Sequence, residues 1–188
     1  MNKYLYNLAI EILRLHPGQS KVKFAKLIYF VHKELIRSRL VASNELSFVR
    51  MPLGPVPVGF MDLQSQEGIL VSEIPTQLLY NSQVYEYGGS KDSELSPSKK
   101  EIISSVLKHL VLMSTTDIVD LSHKEDSWSK LGNGIEFTIT NEDLKTTLPQ
   151  IVKSKIEDER GLQEKLVDGM LSDIVASSTS LEYPEDER

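Results

Sequence analysis

The sequence predicts an α+β fold, a mainly α-helical single domain with a small β-strand element. Three observations predict it. Apolar residues recur at helical spacing over several long segments, and the period shortens to two only in the middle of the chain. At 188 residues, 40% hydrophobic and 26% charged, the chain has the composition of an ordinary soluble globular protein. A chain of this size buries about 70% of its unfolded surface and needs no staples, which suits the absence of cysteine.

Residues 4–15 read as an amphipathic helix, with Leu5, Leu8, Ala9, Ile12 and Leu15 on one side. His16, Pro17 and Gly18 stop it, because proline cannot continue the hydrogen-bond ladder. Ser20 is placed to cap a second helix over 21–38. There Phe24, Leu27, Ile28, Val31 and Leu35 form a stripe that Ala25, Tyr29 and Ile36 widen, as in a core helix contacted on several sides.

Leu46, Phe48 and Arg50 alternate with Ser47, Val49 and Met51 as a strand does. Pro52, Gly54, Pro55, Pro57 and Gly59 crowd the next eight positions and predict an irregular turn. Phe60, Met61 and Leu63 suggest a short helix closed by Gly68, followed by short strands at 69–74 and 83–87 and a polar loop at 88–94.

Ser96 followed by Pro97 opens a helix to Met113, with Ile102, Ile103, Val106, Leu107, Leu110 and Val111 as its buried face. Ser114 with Asp117 is a capping-box variant that starts a helix over 115–123. Asn141 predicts a cap for a helix from Glu142, and 157–176 reads as one more amphipathic helix. The expected organisation is a domain over 1–135, a helical extension over 136–177 and an acidic, disordered tail over 178–188.

The net charge of −6 conceals a division. Residues 1–60 carry nine Lys/Arg against three Glu, or +6, so the remainder sums to −12. Such a split can draw the two halves together or offer a basic face to an acidic partner. The first fifteen residues are interrupted by Lys3, Glu11 and Arg14, and no apolar stretch reaches the ~20 residues of a membrane span. A cytoplasmic protein without membrane contact is expected.

The inventory of chemistry is thin. His16, His32, His109 and His123 lack metal-ligand spacing. Ser122 and Ser127 flank His123 but sit outside any glycine-framed nucleophile elbow. The glycines of the middle segment are not followed by the Lys-Ser/Thr of a phosphate loop. The expectation is a non-enzyme without cofactor or metal. A DNA-binding regulator of a phage or mobile element is the alternative, since two helices joined at 16–19 have the outline of a helix-turn-helix. Against it stand the pI near 5.3 and an apolar second helix that would have to read base edges.

Three segments in order carry a family resemblance. Lys23, Lys26, Leu27, Tyr29 and Phe30 fit the form Lys-Leu-x-Lys-Leu-Leu-Tyr-Phe, with Phe24 and Ile28 as apolar substitutes. Leu53, Gly54, Pro55 and Val56 fit an aromatic-Gly-Pro-Val turn, with leucine in place of the aromatic residue. Leu121, Ser122, His123, Glu125 and Trp128 fit Leu-Ser-His-x-Glu-x-x-Trp. Together they resemble the Panacea domain of SocA-like antitoxins, often phage-associated. The resemblance implies an antitoxin that binds a protein toxin encoded by an adjacent gene, with a protease as the further partner of an adaptor role. On this reading Lys23, Lys26 and Lys33 rim the core helix and, with Gly54, Pro55 and Val56, are the candidate partner contacts. Leu27, Tyr29, Phe30, His123 and Trp128 are the structural residues of the motifs. Of these, His123 and Trp128 anchor a helix end, the indole nitrogen finding an acceptor.

Overall fold

The computed structural model describes residues 2–75, 81–146 and 148. The expected helix over 157–176 and the expected tail over 178–188 lie outside the described residues. The chain divides into two compact units, Met1–Leu148 and Pro149–Arg188. The first therefore runs past the expected boundary at 135, and two features after that point tie it to the core. A strand at Glu136–Phe137 joins a sheet, and Ile139, Asp143 and Leu148 are buried.

Helix α1 (Lys3–Leu15) begins at Asn2, whose side chain accepts from the Tyr4 and Leu5 amides. Strand β1 (Gln19–Ser20) leads into helix α2 (Lys21–Arg37), and the Ser20 hydroxyl accepts from Lys23 N as its cap. Every residue of α2 from Phe24 to Leu35 is buried. This is the central helix that the wide stripe predicts, packed by α1, by both sheets and by the later helices.

One sheet has the order β1-β5-β4, with β4 (Ile69–Pro75) and β5 (Asn81–Tyr87) antiparallel in the expected places. The other has the order β3-β2-β6, from β2 (Phe48–Met51), β3 (Gly54–Pro57) and β6 (Glu136–Phe137). Strand β3 corrects the expectation of an irregular turn after Pro52. It is tolerated because β3 is an edge strand and its prolines fall on alternate positions. The register pairs Val49 with Val56, and Val58 N donates to Ser47 O at 2.9 Å. Pro55 and Pro57 occupy the intervening positions, where an amide would point away from β2. A 3-10 segment (Phe60–Ser65) follows, then the β4–β5 hairpin.

Helix α3 (Pro97–Leu110) starts after Ser96 with proline in its first turn, although the Ser96 side chain makes no cap bond. Helix α4 (Thr115–His123) has the full reciprocal capping box between Ser114 and Asp117. Helix α5 (Asp126–Lys130) is a single turn set off by Glu125. The helix expected from Glu142 is instead a 3-10 turn, Asp143–Lys145. Its first residue is spent on tertiary bonds: the Asp143 carboxylate accepts from Ser127 N, Thr140 N and both hydroxyls of that pair. That clasp holds the chain after β6 against α5.

The core is aromatic at its centre. Phe24, Phe60 and Tyr85 meet with centroids 5.4–5.6 Å apart, and Tyr29 meets Phe48 edge-on at 5.0 Å. The charge halves are drawn together by ion pairs, Lys3 with Glu94 at 2.7 Å and Arg14 with Asp92. Among the described residues no single helix is long and apolar enough to cross a membrane.

Candidate functional site

The three motif segments, about 25 to 70 residues apart in sequence, converge on one face of α2. Lys26, Tyr29 and Lys33 lie at i, i+3 and i+7 of that helix and so share a face. Opposite them stand the β2–β3 turn and the α4–α5 junction.

Lys33 is 1% exposed, and its Nζ donates to both oxygens of Glu125 at 2.8 and 2.7 Å. Tyr29 Oη donates to Glu125 Oε2 at 3.3 Å. Burial raises the Glu125 pKa, opposed by the Lys33 charge, so the carboxylate depends on these two donors. Lys26 is also 1% exposed, and its Nζ donates to the Pro55 carbonyl at 2.8 Å. Burial pulls its pKa down to about 7. Because Pro55 occupies a position turned away from β2, its carbonyl is free to receive this ammonium. Lys23, partly buried, donates to the carbonyls of Val111 and Met113 at 2.8 and 2.7 Å and closes the end of α3.

The expectation that Lys23, Lys26 and Lys33 rim an exposed basic face is therefore corrected. Lys26 and Lys33 are interior groups that tie α2 to the other two motifs, and Lys23 is a helix-end clamp. Gly54 and Pro55 are buried, while Val56 is half-buried. Gly54 has φ +93, and a Cβ there would meet Ser122 Oγ and stand 2.6 Å from Lys26 Cε. Only glycine fits where the turn, α2 and α4 come this close.

Leu27, Tyr29 and Phe30 are fully buried, as expected of structural residues. Trp128 Nε1 donates to Met51 O at 3.0 Å, so the indole does anchor α5 to the turn. It is half-buried. His123 stacks on it at 3.8 Å and 10°, and the Arg50 guanidinium lies 4.0 Å from the ring centroid. Burial lowers the His123 pKa.

The sequence places Ser122 and Glu125 in the third motif without showing what they contact, and gives Arg50 and Asp143 no part in the site. The helical spacing of Lys26, Tyr29 and Lys33 was the available signal: if Tyr29 is core, the lysines beside it are too.

Beside this frame an apolar groove of about 570 Å³ opens between the first turns of α2, the β2–β3 turn and the 3-10 segment. Met51, Leu53 and Met61 are 42%, 55% and 45% exposed along it. Leu53, which departs from the aromatic of the motif, points to this surface and not into the core.

Residues 24–129 match the family model of the antitoxin SocA-like, Panacea domain. No curated protein and no solved structure matches the chain. The matched span contains α2 from Phe24 onward, the β2–β3 turn and the α4–α5 junction, the three elements that meet at the site. The chain belongs to the SocA-like, Panacea-domain antitoxin family.

Proposed function

We propose that this protein is a cytoplasmic antitoxin that neutralises a cognate toxin, encoded by an adjacent gene, by direct protein–protein binding and without turnover. The observation that carries the reading is the family match over residues 24–129. The geometry is in keeping with a binding role, because three of the polar side chains of the motifs are spent on contacts within the protein. Lys33 is held by Glu125, Lys26 by Pro55, and the Trp128 N–H by Met51. A catalytic centre instead holds a polar group toward a substrate.

The DNA-binding alternative gains no support here. Helix α2 is buried from Phe24 to Leu35 and has no polar face to lay in a groove.

The experiment is co-expression. The adjacent reading frame, expressed alone, should arrest growth, and this chain should restore it and co-purify with the toxin. A toxin level that falls on co-expression, with rescue lost in a protease-deficient strain, would assign the adaptor role with a protease. Growth arrest that this chain leaves unrelieved would refute the antitoxin reading.

A further inference from the structure

We propose that the apolar groove beside the Gly54–Pro55 turn is the docking site for a segment of the protein partner that pairs apolar side chains with a carboxylate. The inference rests on the antitoxin reading and names the surface it uses.

The groove's walls are apolar: Val22 and Ala25 from α2, Met51 and Leu53 from the turn, Val56, and Met61. Three of these side chains are more than two-fifths exposed although each is large and apolar, and a clustered apolar patch is a feature of interaction surfaces. The ionisable lining residues are Lys21 and Lys26, both basic, and no acidic side chain lines it. Lys21 is half-buried at the mouth. Lys26 lies at the floor, its ammonium on a backbone carbonyl, not on a carboxylate. Burial disfavours the charged form of this amine, and an anion brought beside it would restore that charge. The complementary occupant is therefore a short stretch of a protein with apolar side chains and an Asp, Glu or C-terminal carboxylate near them.

The groove is also built to keep its shape. Its floor is α2, and its turn is pinned by Lys26 on Pro55 and by Trp128 on Met51. A preformed site lowers the ordering cost of binding.

The test uses the full chain and the adjacent gene's product as probe, with affinity measured by calorimetry and association followed by interferometry. Leu53→Asp and Met61→Glu change exposed side chains, so folding is checked by circular dichroism and thermal midpoint. Each should weaken binding by at least about tenfold, as central contacts do. Leu112→Glu, in the turn after α3, 90% exposed and not part of the groove's lining, is the control and should bind as wild type. Lys21→Glu should lower the on-rate and its salt dependence. In the probe, a scan of Asp and Glu to Asn and Gln should find one carboxylate whose loss matches the Lys21→Glu effect. Wild-type binding that both groove variants retain overturns the groove while leaving the antitoxin reading intact. Failure of wild type to bind the probe removes both. Self-association of the chain that Met61→Glu abolishes would make the occupant a second copy and overturn the proposed partner.

Discussion

Lys26 should make the stability of this protein rise with pH in a range where few proteins gain. Its ammonium is 1% exposed, and burial lowers its pKa from 10.5 to about 7. Between these values the unfolded chain keeps a proton that the folded chain has released. The unfolded state binds more protons, so stability rises with pH through that window. At pH 7 the folded group is about half protonated, which gives a slope near 0.7 kcal/mol per unit. Integrated, the gain is only about 0.4 kcal/mol from pH 5 to 7 but about 2 kcal/mol from pH 7 to 9. Lys26→Met keeps the length of the side chain and removes the titration. The assay is guanidinium unfolding of both proteins across this range at constant ionic strength. The difference between them isolates Lys26 from the other groups that titrate. Parallel pH profiles for wild type and Lys26→Met would refute the assignment of a neutral-range pKa to a buried Lys26.

Three further outcomes follow from the frame. Glu125→Ala strands the Lys33 ammonium in the interior and should destabilise by about 3–5 kcal/mol in denaturant unfolding. The pair Lys33→Met with Glu125→Leu should recover most of that loss, since an apolar pair of similar volume avoids the desolvation cost. Gly54→Ala should destabilise by at least about 2 kcal/mol, from its positive φ and from the Cβ that meets Ser122 and Lys26; a thermal midpoint equal to wild type would contradict the close approach. Trp128 is the only tryptophan and is stacked on His123, so protonation of that imidazole should quench its fluorescence. The midpoint should fall below 6.5, because burial lowers the His123 pKa, and His123→Gln should abolish the transition.

Much of the helical frame was legible because local signals repeat. The wide stripe of α2, the Ser96-Pro97 start of α3 and the capping box of α4 each carry a local physical cause. Strands β1 and β6 have two residues each, too few for any period to show. Strand β3 was hidden by its prolines, which break a ladder in general but not on alternate positions of an edge strand. The lysines of α2 were the largest misreading. A charge on an amphipathic helix is usually placed at the surface. The counter-ion that allows Lys33 inside is Glu125, 92 residues away, and nothing local announces it. The apolar groove beside the three motifs arises from where the turn lands against α2. That is a tertiary fact with no sequence period.

The central claim is neutralisation by stoichiometric binding. The direct measurement is the toxin's own activity in a purified system, titrated with this protein. Toxin activity should fall linearly to zero at a fixed molar ratio, immediately and without dependence on incubation time. Activity that persists at excess antitoxin, or that a sub-stoichiometric amount abolishes progressively with time, would contradict it.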